Sequence, residues 1–216
     1  MILLVTATEM EAAPLRPQIP GRVFDFLVSG VGMVETSARL AGRLCAAEGK
    51  VSLVINFGVA GAYIGSGAGM LDLCLAESEV LGDFGVCQEE KTVPFPADLG
   101  AGLQFPLEKS VLERAVGIFS RHGLPVKRGV FVTVNGVSAT ASRGAFLRKA
   151  WNGLCENMEG AAVVRVCAEF SVPCLEVRSV SNMVEDRNPA SWQLAAASER
   201  CAEAVSLLVS GSSLLV

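Results

Sequence analysis

Strand-like and helical segments alternate along this chain, which predicts an α/β fold: one domain, residues 1–216, with a central mixed, twisted β-sheet flanked by helices. Apolar runs of strand character at 1–6, 22–28, 51–57, 70–80, 126–134 and 173–181 alternate with segments of helical period at 33–48, 107–121, 159–170 and 190–208. Some runs, such as Val51 to Ile55, are nearly unbroken in their apolar character, which fits strands covered on both faces. With 51% hydrophobic residues over 216 positions and a mean hydropathy of +0.46, the chain carries apolar surface for a large core.

The first run, Met1 to Thr6, has no basic flank and turns acidic at Glu9, so it reads as a first buried strand and not as a signal peptide. Its end, Thr6-Ala-Thr-Glu9-Met10-Glu11, enters a short helix that Pro14 helps to start. Glu11 has two readings there: a first-turn carboxylate favoured by the helix dipole, or a functional carboxylate at a strand end. The second strand, 22–28, ends in Ser29-Gly30-Val31-Gly32, and the third, 51–57, in Gly58-Val59-Ala60-Gly61. These glycines serve tight strand-to-helix turns or close approach of backbone to a ligand, and neither group completes a P-loop or a dinucleotide fingerprint.

Val51 to Leu71 is uncharged and long enough to cross a bilayer, and Gly61 with Gly65 has G-x-x-x-G spacing. Five glycines, Asn56 and two serines interrupt it, so a buried strand entering a glycine-rich turn is expected, and no membrane partner. After the 70–80 strand, Asp83 to Phe105 is irregular and reads as a surface excursion, a lid or a subunit contact. The helix at 107–121 ends near the sole histidine, His122, expected as a partner of the helix C-terminus. Mechanisms that need a positioned imidazole are thereby disfavoured, and carboxylates are left as the acids and bases.

Glu156-Asn157-Met158-Glu159-Gly160 follows a short strand-like piece and begins the 159–170 helix. Glu159 is a first-turn carboxylate or the acceptor of two hydrogen bonds from a vicinal diol; Met158 alone reads as core. The last strand runs from Leu175 through Arg178 and Ser181 to Asn182, whose amide offers both a donor and an acceptor. The four strand ends could together line one pocket.

A net charge of -4 without any run of Lys or Arg argues against a nucleic-acid partner. The seven cysteines are scattered, form no metal pattern, and read as small core side chains of a cytoplasmic protein. No metal and no cofactor is expected.

Read in order, these residues resemble the nucleoside phosphorylase and hydrolase superfamily, and within it the hydrolytic branch typified by methylthioadenosine/S-adenosylhomocysteine nucleosidase. The resemblance extends over nearly the whole chain and implies that family's three-layer sandwich, a small purine nucleoside as substrate, and a homodimer. It implies that Glu11 activates water, that Met158 and Glu159 bind the ribose, and that Trp192 closes the pocket. Val59, Ala60, Gly61, Val137, Arg178 and Ser181 are implied as further substrate-binding positions. Arg178-Ser-Val-Ser-Asn182 stands where adenine-cleaving members have Arg-x-x-Ser-Asp, so the acid that protonates adenine is replaced by an amide. An amide can donate to a purine O6 or N7 and accept from N1–H, which favours a 6-oxopurine such as hypoxanthine. Phe57 to Tyr63, Gly32 to Val34, Met158 to Gly160 and Ser181 to Trp192 resemble the futalosine-cleaving members, which release hypoxanthine in an alternative menaquinone pathway. Adenine-releasing nucleosidases, 6-oxopurine phosphorylases and a silent nucleoside-binding protein remain as alternatives.

Overall fold

The structure is a computed structural model, and it describes residues 1–19, 24–88, 91–96 and 102–210. Strand β1 (Ile2–Thr6) is buried along its whole length, and its period of two sends alternate side chains to opposite faces of the sheet. Ile2 and Leu4 join one core with Leu53, Ile55, Phe57, Leu175 and Val177, covered by helices α3 (Lys109–Arg121) and α6 (Leu194–Ser210). Leu3 and Val5 join a second core with Val54 and Cys174, covered by α2 (Met33–Ala46) and α5 (Gly160–Glu169). Two cores on the two faces of one sheet make the three layers.

The main sheet has eight strands and is mixed, as expected. Strand β3 (Leu53–Tyr63) runs parallel to β1 and to β10 (Cys174–Val184), and β1 runs parallel to the edge strand β2 (Phe24–Val28). Beyond β10 come β4 (Leu73–Leu81), β8 (Val126–Thr133) and β9 (Gly153–Asn157). Strand β9 then pairs antiparallel with the second half of β3, so β3, β10, β4, β8 and β9 form a closed ring of pairings. Mostly small side chains, among them Ala60, Ala62, Cys74, Ala76 and Cys155, pack together across these strands.

Several sequence expectations change here. Gly58 to Gly61 is not a turn: β3 continues through it to Tyr63, because β10 supplies backbone partners all along one side and β9 takes up Gly61 and Ala62 on the other. Arg178 to Asn182 likewise lies inside β10, with a register shift between Val180 and Asn182 that leaves Ser181 as a bulge. Pro14 does not start the first helix. Helix α1 (Glu9–Ala12) precedes it and is started by a capping box between Thr8 and Glu11. The 83–105 excursion carries regular structure: β5 (Gly85–Gln88) and β6 (Lys91–Pro94) form a hairpin, and β7 (Gln104–Pro106) adds to β4. Helix α4 (Ala141–Trp151) was not foreseen, since Gly144 and Leu147 are its buried residues and leave almost no apolar stripe.

His122 caps the end of α3, with Nδ1 2.9 Å from the Ile118 carbonyl. Cys74, Cys155, Cys167, Cys174 and Cys201 are buried and free, whereas Cys45 is exposed because it sits on the solvent side of α2. Residues 22 and 23 of the second predicted strand, parts of the excursion (89–90 and 97–101) and the Cys87 side chain lie outside the described residues. Among the described residues no helix is long and apolar enough to cross a membrane, and no cluster of three or more His, Cys, Asp or Glu is placed to hold a metal ion.

Candidate active site

A cavity of about 260 Å³ opens past the ends of β1 and β9 and over the interior of β3 and β10, and every site residue expected from the sequence lines it. Glu11, Val59, Ala60, Gly61, Val137, Met158, Glu159, Arg178, Ser181, Asn182 and Trp192 are all on its wall. Ala7, Thr8, Met10, Val31, Val134, Glu156, Asn157 and Leu194 line it too and were not singled out as site residues from the sequence.

Glu11 is buried at the first turn of α1, where the capping box fixes its direction. Its Oε2 accepts from Thr6 Oγ1 (3.1 Å), Thr8 N (3.0 Å) and Thr8 Oγ1 (2.8 Å). Its Oε1 accepts from Val59 N at 3.0 Å, which ties α1 to the middle of β3. Three donors saturate Oε2, so the spare acceptor capacity of this carboxylate is on Oε1. Gly58 makes room for it: a Cβ there would collide with Glu11 Oε1 and sit 2.9 Å from Arg178 Nη1.

Glu159 is set by the start of α5. Asn157 Oδ1 accepts from the N–H groups of Glu159 (2.9 Å) and Gly160 (2.7 Å), serving two donors that a helix start leaves unpaired. Glu159 Oε1 accepts from Gly32 N at 3.0 Å. Gly32 has φ +91°, a conformation suited to glycine, and it begins α2 with its N–H on the carboxylate. Burial pushes the Glu159 carboxyl up; Arg178 and the Gly32 N–H act against that, and the net direction is upward.

Arg178 is fully buried yet paired. Its Nε donates to Glu176 Oε1 at 2.9 Å, its Nη1 to the Val59 carbonyl at 3.3 Å, and its Nη2 lies 3.5 Å from Glu159 Oε2. Burial works against the cation, but Glu176, Glu159 and Glu11 outweigh it and raise its pKa further. Behind it Glu176 also accepts from Asn56 Nδ2 at 3.0 Å. Glu79 accepts from Thr133 Oγ1 (2.7 Å) and Asn157 Nδ2 (2.6 Å). Burial, and then the charge of Glu176, push the Glu79 carboxyl well up.

On the opposite wall the Ser181 hydroxyl is 2.9 Å from Asn182 Oδ1 and 3.3 Å from the Ala60 carbonyl, and Asn182 Nδ2 donates to the Met183 carbonyl at 3.2 Å. Glu156 is buried and its two oxygens accept from Ser138 N (2.9 Å) and Ser138 Oγ (2.7 Å). Burial pushes the Glu156 carboxyl up, while Ser138, Tyr63 and Arg143 act against it. Trp192 is held at the rim by Gln193 N, which donates to the Ser181 carbonyl at 2.8 Å, and Arg187 lies over its ring at 5.4 Å. Asp83 accepts from Asn135 N at 2.9 Å and from Arg143 Nη2 at 3.2 Å, anchoring the loop that carries Val137.

The arrangement places one carboxylate with a spare acceptor atom beside a second carboxylate on an arginine, with an amide and a third carboxylate across the cavity. It suits a neutral, polar ligand with a diol at one end and a hydrogen-bonding ring at the other. The sequence model of a family described as "Phosphorylase superfamily" matches residues 21–211 of this chain. The futalosine hydrolase of Thermus thermophilus is 33% identical to it over 97% of this chain and 95% of its own. A 5'-methylthioadenosine/S-adenosylhomocysteine nucleosidase of Staphylococcus aureus is 26% identical over 76% of this chain and 71% of its own. A solved structure of a futalosine hydrolase mutant of Helicobacter pylori shares the fold, with a TM-score of 0.86 at 22% identity over 97% of this chain and 98% of that one.

Proposed function

The chain belongs to the phosphorylase superfamily, and from that membership and the cavity's geometry we propose that it is a purine nucleoside N-glycosidase that hydrolyses futalosine and releases hypoxanthine. The Thermus thermophilus relative, similar over almost the full length of both chains, supports this substrate over others. In this reading Glu11 orients and deprotonates a water through Oε1 while the glycosidic bond lengthens toward an oxocarbenium-like ribosyl cation. Glu159 holds the ribose hydroxyls, Met158 packs beneath the sugar, and Asn182 donates to the departing base. Val59, Ala60, Gly61, Val137, Ser181 and Trp192 enclose the substrate.

The observation that carries hydrolysis over phosphorolysis is the pairing of Arg178. Among the described residues it is the one cation lining the cavity, and Glu176 and Glu159 already engage it. Nη2 of Arg178 has no hydrogen-bond partner among the described residues, but the charge of this cation is matched by Glu176 and Glu159, and the carboxylates of Glu11 and Glu159 would repel phosphate. Hypoxanthine release from futalosine should therefore proceed at the same rate with and without phosphate, which chromatography of the free base would read. A requirement for phosphate, with ribose 1-phosphate chemistry at the sugar product, contradicts this reading.

An adenine-releasing nucleosidase is the second reading, favoured by the Staphylococcus aureus relative. The amide at Asn182 counts against it, because it lacks a proton acid enough to give to adenine. The reading also carries one domain, from the length and composition, a cytoplasmic place, from the scattered cysteines, and a homodimer, from the family resemblance. Size-exclusion chromatography with light scattering tests the dimer.

A further inference from the structure

Part of the hydrogen-bonding capacity of Asn182 is already taken within the protein. Its Oδ1 is 2.9 Å from the Ser181 hydroxyl, which has a single proton to give and a longer alternative at the Ala60 carbonyl. Its Nδ2 gives one hydrogen to the Met183 carbonyl, which also fixes the orientation of the amide, since a flipped oxygen would face that carbonyl. One N–H is left, and it can serve O6. Oδ1 keeps one lone pair beside the Ser181 proton, and a charged acceptor is the stronger partner for the N1–H of a 6-oxopurine.

Gly61 shows where that acceptor is. It pairs with Asn182 on β10 and with Glu156 on β9, so the two side chains flank one glycine. Two strand spacings place their backbones about 9–10 Å apart, with no Cβ on the floor between them. A Cβ added at Gly61 would lie 3.0 Å from Val184 Cγ2, 3.1 Å from Asn182 Nδ2 and 3.5 Å from Glu156 Cγ, so the Asn182 and Glu156 side chains converge over the glycine with Val184 beside them. Ser138 donates to both Glu156 oxygens and fixes the group, which as a carboxylate only accepts and has lone pairs to spare.

We propose that Glu156 is a specificity-determining residue that accepts the N1–H of a 6-oxopurine base while Asn182 Nδ2 donates to the adjacent O6. Adenine reverses both partners: its N1 lone pair would face the Glu156 carboxylate and its amino group would face the Asn182 N–H. The pair therefore selects for the 6-oxo ring by rejecting the 6-amino one at two positions. This inference rests on the proposed hydrolysis of a 6-oxopurine nucleoside and names the group that makes the choice.

The test is calorimetric binding of hypoxanthine, adenine and 1-deazahypoxanthine, in which C–H replaces N1–H at nearly the same size, together with hypoxanthine release from futalosine. The unmodified protein should bind hypoxanthine at least about tenfold more tightly than either other base, the scale of one mismatched buried hydrogen bond. Glu156→Gln puts an amide donor where the carboxylate only accepts, and should lower the hypoxanthine-to-adenine ratio at least about tenfold. If the unmodified protein releases hypoxanthine yet binds the deaza base as well as hypoxanthine, or if a folded Glu156→Gln keeps the full ratio, the inference fails while the proposed reaction stands. If no hypoxanthine is released at all, the reaction fails and takes the inference with it. The deaza comparison uses the unmodified protein, so it decides the matter even where the variant does not fold.

Discussion

Val59 N donates to Glu11 Oε1 at 3.0 Å, joining the first turn of α1 to the middle of β3 across 48 positions of sequence. The same carboxylate takes three further donors on Oε2, so its place is decided by strand and helix together and not by the local cap alone.

Replacing Glu11 with Gln keeps its size and removes the base. Hypoxanthine release should fall about 10²- to 10⁴-fold in kcat, the usual range for general base help. Thr8→Ala removes the helix cap and the 2.8 Å donor to Oε2. It should cost about 1 kcal/mol of stability and lower activity less than Glu11→Gln does. Steady-state kinetics and chemical unfolding on both variants check the ordering.

Gly58→Ala places a methyl group against Glu11 Oε1 and Arg178 Nη1. Overpacking of this kind costs about 1–3 kcal/mol. It must also displace one of the two side chains, so activity should fall by more than the stability loss explains. Thermal melting and kcat/KM, compared with Gly42→Ala on α2 where an added Cβ meets nothing within 4 Å, separate the two effects.

The buried Glu79 gives a pH signature to stability. Its carboxyl is raised in the folded chain by burial and then by Glu176, so its contribution is complete below the ordinary value near 4.5 and is lost as pH rises through the folded value. Unfolding free energy should therefore decline above that pH, by at most about 1.4 kcal/mol per pH unit for one proton. Glu79→Gln has no proton to lose and should flatten this part of the profile. Urea unfolding across a pH series reads the slope, and an unchanged slope in the variant would show that Glu79 is not its source.

Much of the fold was legible in the sequence because strand and helix periods survive where one face is buried. The alternating cores on β1 are the clearest case. The glycine segment Gly58–Gly61 was misread as a turn because local glycine content says nothing of the two strands that pair with it. Helix α4 was invisible for the opposite reason, with too few buried side chains to set a period. At the site, Glu11, Glu159 and Asn182 stood out as polar residues at the edges of apolar runs. Glu156 did not, since its meaning depends on Ser138, Gly61 and Asn182, which come together through β3, β9 and β10. Glu176 and Glu79 read as ordinary strand residues, and burial alone sets them apart.

The central claim is the release of hypoxanthine by water, and the direct measurement is free base formed from futalosine and from methylthioadenosine in parallel, without phosphate. The account predicts hypoxanthine from futalosine, with kcat/KM at least about tenfold above that for adenine from methylthioadenosine, as one mismatched hydrogen bond at the base requires. Adenine from methylthioadenosine with no hypoxanthine from futalosine would contradict it.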